Sequence, residues 1–91
     1  MAKKIFIVKT EEMLDGEMKF HVRCHRKREN ALFSFNHDIE AFKAWSKEMD
    51  CYEQEDIDNA DNERTETSYF AKSSCDDYHF LIEIEESELF D

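Results

Sequence analysis

Proline is absent from these 91 residues and glycine occurs once, at Gly16. A loop that cradles phosphate with its backbone needs several glycines, so a Walker motif and a dinucleotide fingerprint are excluded, and without proline there is no PxxP ligand. Nucleotide-dependent catalysis is therefore not expected. Also missing is any run of about 18 apolar residues, the least that crosses a bilayer as a helix. The opening MAKKIFIVKTEE offers a short apolar stretch followed by acids, which is not the pattern of an export leader. Cysteine is scarce and odd in number, at positions 24, 51 and 75. With no leader this count points to reduced thiols in a cytoplasm and against a disulfide framework.

What is present is enough to fold. Hydrophobic residues make up 41% of the chain, with eight Phe, three Tyr and one Trp, too much apolar surface for a disordered chain although 38% is charged. The length fits one domain over 1–91 with one modest core. Lys4–Thr10 is apolar on both alternating faces and reads as an inner strand. Asp15-Gly16 is a turn signal, because glycine accepts positive φ, and it predicts a hairpin. In the next strand Met18, Phe20, Val22 and Cys24 alternate with Lys19, His21, Arg23 and His25, so the first row is expected on the core and the second in water.

After the charged turn 26–30, Ala31–Phe35 reads as a third strand, and Asn36 stands where a helix N-cap belongs, with Asp38 and Glu40 in the first turn. From there Ile39, Phe42, Trp45 or Ser46, and Met49 recur at helical spacing and gather one apolar stripe, with Trp45 expected to be buried under it. The end of this helix is not marked, and 53–66 reads as an acidic loop or short helix. Thr67–Ser73 and Tyr78–Glu86 form a second hairpin, and the tail 87–91 frays or docks through Leu89 and Phe90. The expected fold is thus α+β, a single small domain of order βββ-α-ββ, with a largely antiparallel five-stranded sheet and one main helix on one face.

Chemistry is sparse. His21, Cys24, His25, Cys75 and His79 are competent metal ligands, but on a strand His21 and Cys24 face opposite sides, and Cys75 and His79 run from a turn into a strand. Small thiols and surface imidazoles explain them, and no metal or cofactor is assigned. Cys24, placed on the apolar face, is not expected to be an activated nucleophile. Carboxylate pairs such as Asp76 with Asp77 and Glu83 with Glu85 are so numerous that a solvated face accounts for them, and no catalytic residue is assigned.

Charge carries the remaining information. Residues 1–35 hold eight Lys/Arg against five Asp/Glu, whereas 36–91 hold four against eighteen, within a net charge of −11. The acids Glu48, Asp50, Glu53, Glu55, Asp56, Asp58, Asp61, Glu63 and Glu66 form one run, and Glu83, Glu85, Glu86 and Glu88 another. Carboxylates on two sides of a small body imitate the phosphates of a duplex, so the leading expectation is a non-enzymatic protein-binding inhibitor or regulator docking on a basic, nucleic-acid-binding surface. Glu48, Asp50, Glu53, Glu55, Asp56, Asp58, Asp61 and Glu63 would make the first patch, Glu83, Glu85 and Glu86 the second, and Tyr52 and Tyr69 the aromatic anchors. In composition and charge layout, though through no motif, the chain is similar to phage-type anti-defence proteins, the anti-CRISPR, anti-restriction and DNA-mimic inhibitors. That likeness implies action in the cytoplasm of a bacterial host. The alternative is a small nucleic-acid or ribonucleoprotein module using the basic patch Lys19, Arg23, Arg26, Lys27 and Arg28, against which the many acids would repel a polyanion.

Overall fold

The computed structural model describes residues 2–75 and 77–90. Among these the order is β1 (Ala2–Leu14), β2 (Glu17–His25), α1 (Arg28–Met49), α2 (Gln54–Glu63), β3 (Ser68–Lys72) and β4 (His79–Phe90). The α+β class and the antiparallel sheet are present, but the sheet has four strands, ordered β2-β1-β4-β3, and there are two helices. Each neighbouring pair is antiparallel. β1 and β4 pair from Ala2 opposite Phe90 to Met13 opposite His79. A strand of 13 residues at about 3.4 Å each spans roughly 44 Å, which explains the elongated 48 × 25 × 19 Å body. The backbone of 87–90 belongs to β4, while Asp91 and the Asp76 of the Asp76–Asp77 pair lie outside the described residues.

The missing fifth strand is a correction. Ala31–Phe35 lies in the first two turns of α1, and Asn36 lies inside the helix, its Oδ1 accepting a hydrogen bond from Arg64. The cap position falls to Lys27, in extended conformation and without a side-chain capping hydrogen bond among the described residues. Ala31, Phe35, Ile39, Phe42 and Ser46 are buried, a run of four- and three-residue steps that makes one stripe from the first turn to the last. Phe33 faces away from it, 73% exposed. The helix ends at Asp50, whose left-handed backbone (φ 54°) takes the place usually held by glycine and whose N–H donates to the Ser46 carbonyl at 3.1 Å. Trp45 is only partly buried beside the core and Met49 is exposed, because Ser46 occupies the buried position, its hydroxyl donating to the Lys43 carbonyl.

Segment 53–66 contains a helix with a reciprocal cap. The Glu53 N–H donates to Asp56 at 3.0 Å, and the Asp56 N–H is received by the Glu53 side chain. Ile57 and Ala60 anchor α2 over β3. Both helices cover the same face of the sheet, where Phe6, Val8, Tyr69, Ala71, Phe80 and Ile82 are buried. Phe42 stands at the centre, stacked on Phe80 (centroids 4.3 Å apart) and edge-on to Tyr52 (5.0 Å) and Tyr69 (6.1 Å). Burial of each such side chain contributes roughly 1.5–3 kcal/mol.

β2 follows the expected alternation with its faces exchanged. Its register places Arg23 beside Val8 and His21 beside Thr10, on the helix side, where Arg23 donates to the Ser34 hydroxyl (3.2 Å) and pairs with Asp38 (3.6 Å). Met18, Phe20, Val22 and Cys24 therefore lie on the open face and are exposed. The physical reason is position: β2 is an edge strand, and α1 lies chiefly over β1 and β4, so little apolar cover reaches it.

Candidate functional site

The sheet face decides where the expected acids stand. In α2, Ile57 and Ala60 point to the core, so Glu55, Asp58 and Glu63 fall on the outer arc with Asn59 and Asn62, and all five are exposed. No base occurs in this helix. Asp56 is turned inward, receiving the Glu53 and Ser74 N–H groups (3.0 and 3.3 Å), and Asp61 faces α1, where it pairs with Lys43 at 2.9 Å. Glu48, Asp50 and Glu53 are exposed at the corner where α1 turns into α2 and continue the acidic surface, with Lys47 beside them.

Glu83, Glu85 and Glu86 do not join this surface, and Glu86 is separated from the other two. Since Ile82 and Ile84 face the helices, Glu83 and Glu85 lie on the open face and Glu86 on the helix side. Glu85 is bonded to Lys9, whose ammonium it holds above its ordinary pKa, and Glu86 pairs with Lys4 at 3.8 Å. Tyr52 and Tyr69, expected as anchors, are 7% and 1% exposed and belong to the core, because the helix carries Phe42 down between them. The exposed aromatic side chains among the described residues are Phe20, Phe33 and Phe70.

The basic residues meet acids of the same chain. Arg23 is held by Asp38, and Arg28 by Glu66 at 2.8 Å, which leaves Lys19, Arg26 and Lys27 exposed along β2 and at the start of α1. Between α1 and the β1–β2 hairpin runs an open groove of about 340 Å³, lined by Thr10, Leu14, Arg23, Asp38, Phe42 and Trp45. Its guanidinium and carboxylate pair with one another at 3.6 Å, and Glu12, His21 and His79 also line it. Among the described residues no three His, Cys, Asp or Glu side chains come together as a metal site. His21 and Cys24 lie on opposite faces of β2, and His79 is bonded to Glu11 at 3.0 Å. No helix among the described residues is long and apolar enough to cross a membrane.

The two hairpin tips are joined. The Gly16 N–H donates to the Asp77 carbonyl (3.1 Å) and the Tyr78 hydroxyl to Asp15 (2.8 Å), which, ahead of burial, holds that phenol above its ordinary pKa. Compared with protein-family models, with curated proteins and with solved structures, the chain matches none of them.

Proposed function

We propose that the protein is a non-enzymatic, acidic protein-binding inhibitor or regulator, which docks the outer arc of α2 and the α1–α2 corner on a basic, nucleic-acid-handling surface of its partner. The division of labour within α2 is the observation that carries this reading. Asp56 and Asp61 hold the fold together, while Glu55, Asp58 and Glu63 face outward on a helix without a single base. Rigidly mounted carboxylates give a fast, steered encounter with a basic surface. The resemblance in composition to anti-CRISPR, anti-restriction and DNA-mimic inhibitors points the same way. Charge density limits the mimicry: a duplex as long as this 48 Å body carries about 28 phosphate charges, against a net −11 here. The acid face therefore suits a local basic patch and not a whole duplex groove.

The test is capture of the partner from bacterial lysate on immobilised protein, identified by mass spectrometry, at low and moderate salt. The quadruple variant Glu48→Lys, Glu55→Lys, Asp58→Lys and Glu63→Lys should lose capture and keep its melting temperature, since it spares the cap at Glu53 and Asp56 and the Lys43–Asp61 pair. Capture indifferent to both salt and this reversal would reject the acidic face. Gel shifts with short RNA and DNA give the other arm: tight binding abolished by substituting Lys19, Arg26 and Lys27 would favour the nucleic-acid module instead.

A further inference from the structure

β2 is an edge strand whose free side has a definite chemistry. The turn at Asp15-Gly16 has positive φ at both residues (55° and 81°), the two-residue type I′ form, in which the flanking residues Leu14 and Glu17 are a hydrogen-bonded pair. In an antiparallel ladder such pairs alternate, so Glu17, Lys19, His21, Arg23 and His25 direct their backbone groups to β1. Met18, Phe20, Val22 and Cys24 direct theirs outward, off the end of the sheet. Their side chains stand on the open face, Met18 40%, Phe20 67% and Val22 63% exposed. The opposite edge, β3, has only five residues and carries α2 above it, whereas β2 has nine and lies beside the main track of α1, which runs chiefly over β1 and β4.

We infer that this edge is the interface of a symmetric dimer, in which β2 pairs antiparallel with β2 of a second copy about a twofold axis at Phe20. Charge selects both the occupant and the register. The strand is dipolar, with Asp15 and Glu17 at its start and Arg23, Arg26 and Lys27 at its finish, so antiparallel self-pairing sets the acidic end of each copy against the basic end of the other. Axes at residues 20, 21 or 22 are those that pair at least three of the four outward residues of each copy. With the axis at 20, Glu17 faces the second copy's Arg23 and Lys19 its His21, each twice by symmetry, Met18 faces Val22, and the two Phe20 rings meet on the open face. With the axis at 21, Lys19 faces Arg23 and Glu17 meets only His25, and with the axis at 22 Lys19 faces His25 and His21 faces Arg23, so that within the strand no acid meets a base. Like charges directly opposite destabilise a ladder, which leaves the first register. Arg23 remains accessible for this contact, its side chain being 59% exposed despite the bond to Asp38. The surface is separate from the acid face of α2, so either reading can fail without the other.

Light scattering after size exclusion and sedimentation equilibrium test the dimer, which should show twice the 11.0 kDa chain mass. Glu17→Arg, at an exposed residue, should weaken association about tenfold or more with circular dichroism unchanged, and melting unchanged at concentrations where both chains are monomeric. Val22→Pro removes an outward N–H without touching the β1 ladder and should give a folded monomer. Nitroxide labels read the register in chains otherwise lacking cysteine: at Met18→Cys the two labelled backbones lie about 14 Å apart, at Cys24 about 27 Å. A chain monomeric at all concentrations, a dimer indifferent to Glu17→Arg, or label distances equal or reversed between the two positions would overturn the inference.

Discussion

Phe42 shows how much one side chain can hold. It meets Phe80 face to face and Tyr52 and Tyr69 edge-on, so it links α1 to β4, to the α1–α2 corner and to β3. Phe42→Ala should lower unfolding free energy by about 3–5 kcal/mol in chemical denaturation. The tyrosines around it behave differently, since the buried hydroxyls of Tyr52 and Tyr69 meet no hydrogen-bond partner among the described residues. A buried polar group without a partner costs about 1–3 kcal/mol, so Tyr52→Phe should leave stability unchanged or raise it, and a loss comparable to that of Phe42→Ala would reveal a missed partner. Alkali should expose the same groups. Burial pushes Tyr52 above the ordinary 10.0 and Tyr69 up to about 12. Between 10.0 and about 12 the unfolded chain therefore binds fewer protons than the folded one. Their contribution is complete below pH 10 and is lost as pH rises through that window. Phenolate absorbance from these two residues should appear together with loss of circular dichroism, and phenolate formed near pH 10 in a fully folded chain would contradict their burial.

The elements were legible in unequal measure. The Asp15-Gly16 turn, the second hairpin and the helical stripe through Ile39 and Phe42 could be read directly, because turn chemistry and periodicity are local. Ala31–Phe35 could not, because five residues with alternating Ala, Phe and Phe satisfy a strand period as well as a helical one. Only the continuation of the buried steps from Ala31 and Phe35 to Ile39 separates the two. In β2 the alternation was correct and its direction was not: period two says which residues share a face, and only the position of α1 says which face is covered. The same limit hid the candidate site. That acids crowd 48–63 is plain in the sequence, but that Asp56 caps α2 while Glu55 faces solvent depends on the helix and its rotation. Asp56→Ala should cost about 0.5–2 kcal/mol through the lost cap, and Glu55→Ala nearly nothing, as compared by thermal melting. Equal costs would mean that the cap contributes nothing.

At the scale of the molecule, charge is distributed by surface. Among the described residues Lys4, Lys9, Arg23, Arg28 and Lys43 each meet an acid of the same chain, and none of these acids belongs to the outer arc of α2, which keeps its negative sign. The long β1–β4 ladder that sets the shape has a further consequence, in time. It joins residues 2–13 to residues 79–90, the most distant segments of the chain, and its central strand already has β2 on its other side. During synthesis the β1–β2 hairpin can therefore form while one edge of β1 waits for β4 to emerge. Pairings of such sequence separation are slow, since loop-closure entropy is spent before any contact rewards it. The nascent chain thus passes through an interval in which two open strand edges flank one hairpin, and escape from that interval depends on the emergence of β4.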